Sequence, residues 1–193
     1  MRQTSFWQKL IKKGFLTLLT LFISLLPVHP LNAALTFNEA VSAANTPQKL
    51  AALMKSEFRF ATDEKIFRQT DHWQSPEEIW SRKIGDCEDY ALFAQYVLRT
   101  HGIEAQIVSI YGVSGYAHTI VIFEENGFYR VMNQAKLERF RAKSMNEAIG
   151  QLNPGWTWAA IADRKAMRGY NRETIFNPSP ARQTSLLQRN FLL

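Results

Sequence analysis

The sequence predicts a mixed fold in which helices come first along the chain and strands follow. A capped helix start at Ser75-Pro76 and a helical period of apolar residues after Cys87 indicate the helices. From Ala105 onward the period is extended and rich in isoleucine and valine, which is typical of strands. We find no internal repeat, so these elements are expected to form one domain.

The first 34 residues have the composition of a secretory signal peptide. An apolar stretch of 13 residues, Gly14 to Leu26, follows four basic residues: Arg2, Lys9, Lys12 and Lys13. Prolines and then small residues suited to a signal peptidase come next. An uncleaved membrane anchor is the alternative, although a spanning helix needs ~20 apolar residues. We predict a signal peptide over residues 1–34, and therefore a periplasmic or secreted protein.

Loss of residues 1–34 would change the charge that a partner meets. The full chain carries +6 at pH 7, whereas the remaining residues include 19 basic and 17 acidic side chains, a net charge of +2. This small excess argues against nucleic acid as a partner. The length suits a single domain over residues 35–165. The basic, polar segment 166–193 is predicted to be a loose C-terminal tail.

Two helices are predicted before the cysteine. The first begins at Thr46-Pro47 and runs to about Lys55, because proline is favoured at the first helical position. The second begins at Ser75, where Glu78 three residues later completes a capping box, and it ends near Lys83. Both helices are expected to contribute apolar residues to the core.

A third helix is predicted from Asp86 to His101. Asp86 is the expected N-cap, with Asp89 three residues later, and Gly102 follows the helix end. One face of this helix is apolar and is expected to be buried: Cys87, Tyr90, Ala91, Ala94, Val97 and Leu98.

Four strands are predicted after the helices. Asn126-Gly127 is a strong signal for a tight hairpin, and residues 112–116 form an expected loop. The strands are Ala105–Tyr111, Ala117–Phe123, Phe128–Asn133 and Trp156–Ile161.

Cys87 is the sole cysteine of the chain, so it cannot form an intramolecular disulfide. It lies in the first turn of its predicted helix, where backbone N–H groups and the helix dipole stabilise an anion. A thiolate there would be a nucleophile. The alternative is a small buried cysteine without chemistry, which is common in protein cores.

A nucleophilic thiolate needs a base and a group that orients the base. His101 is ~21 Å from Cys87 along the same helix and cannot serve. His72 lies in an irregular stretch, whereas His118 begins a strand. With Asn126-Gly127 as the loop, Asn133 lies diagonal to His118, and with Glu125-Asn126 as the loop it lies directly opposite. Either register puts both side chains on one face, where the amide oxygen could accept a hydrogen bond from the imidazole.

Four segments carry a family resemblance: W-x-S-P-E-E from Trp73, G-D-C-E-D-Y-A from Gly85, A-H-T-I-V-I-F from Ala117, and V-M-N ending at Asn133. Together they resemble the bacterial transglutaminase-like cysteine peptidases of the papain-like and transglutaminase-like superfamily. The resemblance covers roughly the middle third of the chain. It implies an α+β fold in which the helix that carries the nucleophile packs on a small antiparallel sheet.

The resemblance also implies roles for individual residues. Cys87 would be the nucleophile, His118 the base and Asn133 the orienting residue. The sequence departs from the closest bacterial members at Asn133, where they usually have aspartate and papain-like relatives have asparagine. Trp73 and Gln74 lie where relatives often supply a side-chain donor to the oxyanion, although Trp73 is equally compatible with a core position.

Asp86 and Glu88 flank the cysteine and are candidate metal ligands. On their own they are compatible with a helix cap and a solvated acid that suits the helix dipole. The resemblance adds calcium, because some relatives that process surface adhesins bind calcium through acids at these positions. Two carboxylates could begin a calcium shell of 6–8 oxygens. The thiol chemistry itself requires no cofactor.

Three functions are compatible with these features. The first is an exported thiol-dependent peptidase or amidase that acts on a protein or peptide in the cell envelope. The second is acyl transfer to an amine through the same triad. The third is a non-catalytic binding or scaffold protein on the same fold. A contact with the membrane is expected only through an uncleaved signal segment.

Overall fold

The computed structural model describes residues 34–112, 117–162 and 173–176. All of the predicted signal peptide except its last residue, Ala34, lies outside these residues. The fold below is that of the compact unit from Leu35 to Leu193. Within the described ranges, no helix combines the length and the apolar character that crossing a membrane requires.

Six helices are present among the described residues, and five of them precede the main sheet. Ser75 caps the fourth helix through a reciprocal capping box with Glu78, as predicted. The helices are α1 (Phe37–Ala43), α2 (Pro47–Glu57), α3 (Asp63–Phe67), α4 (Pro76–Arg82), α5 (Cys87–Thr100) and α6 (Met145–Leu152).

The main sheet has six strands in the order β6-β5-β4-β3-β7-β8, and every neighbouring pair is antiparallel. Its strands are β3 (Ala105–Gly112), β4 (Ala117–Glu125), β5 (Phe128–Asn133), β6 (Lys136–Leu137), β7 (Trp156–Ala162) and β8 (Glu173–Phe176). Two short parallel strands, β1 (Arg59–Phe60) and β2 (Ile84–Gly85), form a separate pair. That pair joins the end of α2 to the start of α5.

Both faces of the main sheet are buried, and alternate residues of β4 belong to different cores. Val121 and Phe123 pack with helices α2, α4 and α5, where Phe93 is fully buried. Ile120 and Ile122 face the second core with α6. Side chains alternate along a strand, so each strand contributes to two layers of packing. The helix that begins at the cysteine thus packs on an antiparallel sheet, as the α+β prediction requires.

Most predicted elements are confirmed with small changes in length. The hairpin turn is the two residues Asn126-Gly127, because Glu125 pairs with Phe128. The prediction omitted helices α1, α3 and α6 and the short strands β1, β2 and β6. Within the segment 166–193, which is predicted to be a loose tail, Glu173–Phe176 pairs with β7. Residues 113–116, 163–172 and 177–193 lie outside the described residues.

Candidate active site

Cys87 is the first residue of α5, and Asp86 is the N-cap. The backbone N–H of Asp86 donates to the carboxylate of Asp89 at 3.2 Å, which fixes the entry of the chain into the helix. Cys87 is half-buried, and its Sγ donates a hydrogen bond to Glu88 Oε2 at 3.0 Å. The described structure therefore contains a thiol at a helix start with an acidic neighbour as its hydrogen-bond partner.

Asp89 fastens this helix start to the preceding segment. Its carboxylate is fully buried and accepts hydrogen bonds from the Gln74 backbone N–H at 2.8 Å and from Gln74 Nε2 at 2.7 Å. Burial raises the pKa of Asp89 to about 6, although the hydrogen bonds from Gln74 oppose the increase. Asp89 thus holds the residues before α4 against the start of α5.

The two oxyanion candidates have other partners in the structure. Gln74 is fully buried, and its Nε2 gives hydrogens to Ile84 O at 2.9 Å and to Asp89. A side-chain amide has two hydrogens, so Gln74 has none left for an oxyanion. The indole N–H of Trp73, the only side-chain donor of that residue, donates to Asp71 Oδ1 at 2.9 Å. These contacts do not fit the predicted oxyanion role, and they assign Gln74 to the support of Asp89.

His118 and Asn133 are in contact, as the hairpin register predicts. Val121 pairs with Met132, and continuing this register places Asn133 diagonal to His118 on the same sheet face. His118 Nε2 lies 2.8 Å from Asn133 Oδ1. An amide oxygen can only accept, so Nε2 carries the hydrogen, and in the neutral ring Nδ1 then carries the lone pair.

The thiol and the imidazole each have a hydrogen-bond partner of their own. Cys87 Sγ donates to Glu88, and His118 Nε2 donates to Asn133. The structure therefore brings the base and its orienting residue together and gives the thiol an acidic partner.

Glu138, which the sequence analysis did not select, lies behind Asn133. It is only 7% exposed, and its Oε1 accepts a hydrogen bond from Asn133 Nδ2 at 3.3 Å. Its other oxygen forms an ion pair with Lys136 Nζ at 2.7 Å. In the sequence, Glu138 is only an acid five residues after Asn133, and nothing in that spacing indicates that it is buried.

Acidic residues from three parts of the chain gather beside Cys87. Oxygens of Asp63, Asp71 and Glu88 lie within 4.8 Å of one another, and those of Asp63, Asp86 and Asp89 form a second such group. Asp63 is 2% exposed and accepts a hydrogen bond from the His72 backbone N–H. Of these acids, the sequence pattern indicated only the two that flank the cysteine, Asp86 and Glu88, as metal ligands.

The electrostatics of this acidic group favour a cation. Burial raises the pKa of Asp86 to about 8, and the hydrogen bond and the charge of Glu88 add to the increase. Burial likewise raises the pKa of Glu88 to about 8. Among the described residues, one buried oxygen each of Asp63 and Asp86 has no hydrogen-bond partner. Carboxylate oxygens are ligands of calcium, and these two have no competing hydrogen-bond donor.

The other two histidines of the described residues, His72 and His101, have structural contacts. His101 Nε2 lies 2.8 Å from the Val41 carbonyl oxygen at the far end of α5. The His72 ring packs against Phe67, with 4.1 Å between the ring centroids. His101 therefore links α5 to α1, which agrees with its exclusion on distance.

A comparison with protein families identifies the domain that contains these residues. The family model of the transglutaminase-like domain matches residues 34–147, more than half of the chain. The chain belongs to the transglutaminase-like family. The match spans the transglutaminase-like domain from α1 into α6 and includes Cys87, His118 and Asn133. It confirms the predicted family and agrees with the α+β fold.

Solved structures give weaker likenesses to this transglutaminase-like domain. Legionella pneumophila LapG is 17% identical over 68% of this chain and 78% of its own, with a TM-score of 0.49. Calcium-bound LapG from the same organism is 18% identical over 79% and 86%, with a TM-score of 0.47. A candidate cysteine protease from Cytophaga hutchinsonii is 14% identical over 79% and 54%, with a TM-score of 0.45. No curated protein sequence matches the chain.

Proposed function

We propose that this protein is an exported thiol-dependent hydrolase that cleaves a peptide or amide bond of a cell-envelope protein. The observation that carries the proposal is the 2.8 Å contact between His118 and Asn133, in a chain whose sole cysteine begins a helix. The contact leaves Nδ1 as the basic nitrogen of the ring. The export step rests on the composition of residues 1–34.

In the proposed reaction, the Cys87 thiol leaves its Glu88 partner and gives its proton to His118 Nδ1. The thiolate attacks the substrate carbonyl, and the resulting tetrahedral anion is stabilised by the Cys87 backbone N–H at the helix start. His118 then protonates the departing amine, which leaves an acyl group on the sulfur. Water, deprotonated by the same imidazole, releases a carboxylic acid and restores the thiol.

We also propose calcium as a structural partner of this site. The acids Asp63, Asp71, Asp86 and Glu88 fit the ion, because they offer oxygen ligands and two of them have buried oxygens without donors. Bound calcium would neutralise the clustered charge. These residues would thereby hold α3 and the following segment against the start of α5.

Labelling and turnover test the hydrolase proposal. We expect an electrophilic peptide probe to label Cys87 in the full-length protein, and a fluorogenic peptide library to yield a substrate. Cys87→Ser should abolish both signals. Asn133→Ala should lower kcat by about ten- to hundredfold with a smaller change in KM, because the ring loses the group that orients it. Asn146→Ala in α6 is the matched control and should retain full turnover.

Two outcomes would contradict the proposal. If Cys87→Ser still turned over substrate, Cys87 would not be the nucleophile. If the wild-type protein were neither labelled by the probe nor active on any substrate, the binding or scaffold function would be favoured. Product analysis with a free amine present separates hydrolysis from acyl transfer. Comparing envelope proteins of strains with and without the gene would identify the substrate.

A further inference from the structure

Glu138 is a buried acid that the proposed reaction does not use, and backbone hydrogen bonds fix its position. Its N–H donates to the Val131 carbonyl at 2.9 Å, and its own carbonyl accepts from Arg130 Nη2 at 3.2 Å. Arg130 is itself buried and paired with Glu125. These contacts hold the residue after β6 against β5, so the carboxylate has a defined position beside Asn133.

The two oxygens of Glu138 have different partners. Oε1 accepts from Asn133 Nδ2 at 3.3 Å, and Oε2 faces Lys136 Nζ at 2.7 Å. An ionised carboxylate only accepts hydrogen bonds, so the part of Asn133 that faces it must be the NH₂ group. The carbonyl oxygen of Asn133 is then forced toward His118.

We propose that Glu138 is a positioning residue of the site, which sets the orientation of the Asn133 amide and through it the tautomer of His118. The chain of contacts runs from Glu138 Oε1 to Asn133 Nδ2, and from Asn133 Oδ1 to His118 Nε2. Its catalytic consequence rests on the proposed hydrolase function. Glu138 also places a negative charge behind Asn133, whereas an aspartate at position 133 would place that charge directly beside His118.

This arrangement changes what a substitution at position 133 should do. If only the contact with His118 mattered, Asn133→Asp would keep an acceptor and add a favourable charge. With Glu138 in place, however, the new carboxylate would face a second carboxylate where the structure has a hydrogen bond. Repulsion between like charges at that distance disfavours the pair. Asparagine is therefore the residue that can donate to Glu138 and accept from His118 at once.

Glu138→Gln tests the proposal because it keeps the shape of the side chain but can reverse the direction of its hydrogen bond with Asn133. The new amide should turn its oxygen toward the Lys136 ammonium and its NH₂ toward Asn133. Asn133 would then have to rotate, present its own NH₂ to His118 and stabilise the tautomer with the hydrogen on Nδ1. We expect kcat to fall by about ten- to hundredfold while KM changes little.

A reciprocal exchange provides the rescue. In Asn133→Asp/Glu138→Gln, the glutamine NH₂ donates to the aspartate, whose other oxygen accepts from His118 Nε2. We expect this double variant to recover most of the turnover that each single variant loses. Glu124→Gln, which removes an exposed carboxylate from the same hairpin, is the matched control and should behave as wild type.

The ¹⁵N shifts of the His118 ring in the full-length protein give a readout that needs no substrate. Nε2 should be the protonated nitrogen in the wild type, in Glu124→Gln and in the double variant, whereas Glu138→Gln should shift the proton to Nδ1. An unchanged ring spectrum and unchanged kcat in Glu138→Gln would overturn the proposal. So would single variants whose losses simply add in the double variant. If no protein turns over a substrate, the hydrolase function fails, and the ring spectra still decide whether Glu138 sets the tautomer.

Discussion

At position 85, the absence of a side chain is what lets Asp89 reach the helix start. A Cβ on Gly85 would lie 2.4 Å from Asp89 Oδ2, closer than two such atoms can approach. That oxygen also accepts from Gln74 and from the Asp86 backbone. A glycine two residues before the nucleophile is therefore a packing requirement of the carboxylate that anchors the helix.

We expect Gly85→Ala to destabilise the protein by about 1–3 kcal/mol, because it forces Asp89 or the backbone to move. The labelling rate of Cys87 should fall with it. Gly150→Ala is the matched control, since its new methyl group would meet only Trp156 Nε1 at 3.7 Å. That change should stabilise α6 by about 0.5–1 kcal/mol. Urea unfolding of both variants checks the pair, and equal stability of Gly85→Ala and wild type would show that the close approach is unimportant.

At the scale of single elements, the sequence predicted the helix starts and the hairpin turn, because these depend on residues close together in the chain. The caps at Ser75 and Asp86 and the turn at Asn126-Gly127 depend on neighbours within four residues, and all three are present. The contribution of Glu138 depends on the tight return of β6 along β5, and its turn, Gln134-Ala135, lacks the Asn-Gly signal of the other hairpin. The burial of Asp63 was likewise not predicted, because an acid in a short polar segment is expected to be solvated.

The calcium proposal makes a prediction about α3 and α5. We expect added calcium to raise the unfolding temperature, since an ion that binds only the folded chain stabilises it by ~2.7 kcal/mol at a hundredfold excess over Kd. Asp63→Asn should abolish most of this increase. Glu64→Gln, an exposed neighbour in the same helix, should retain it. Thermal unfolding with calcium and with chelator gives the comparison, and identical curves for the wild type would contradict a calcium site.

At the scale of the whole molecule, the sheet is larger than the predicted domain. β8 pairs with β7 from Trp158–Phe176 to Ile161–Glu173, beyond the expected boundary at residue 165. The segment was assigned to a tail because basic and polar residues surround it, and composition does not report pairing with a distant strand. β8 thus supplies the hydrogen-bond partners that β7 would otherwise lack along one edge.

We expect a chain that ends at residue 165 to be less stable and to self-associate, because an uncovered strand edge is a template for pairing between molecules. A chain that ends at residue 176 retains β8 and serves as the control. Size-exclusion chromatography and thermal unfolding of the two truncations measure the difference. Two monomeric proteins with the same unfolding temperature would show that β8 does not protect the edge.

The contacts on the two sides of the site span different lengths of sequence, which has a consequence for how the site opens. The His118–Asn133–Glu138 contacts lie within 21 consecutive residues joined by two tight turns, so they can re-form by local hairpin closure. The Cys87 side depends on the approach of Asp89 in α5 to Asp63 in α3 and on its hydrogen bonds with Gln74, which precedes α4. Fluctuations that open a protein locally follow such contiguous units. Backbone amides around β4 and β5 should therefore exchange with solvent deuterium independently of those around α3 and the start of α5, and the nucleophile could loosen while its base stays ordered.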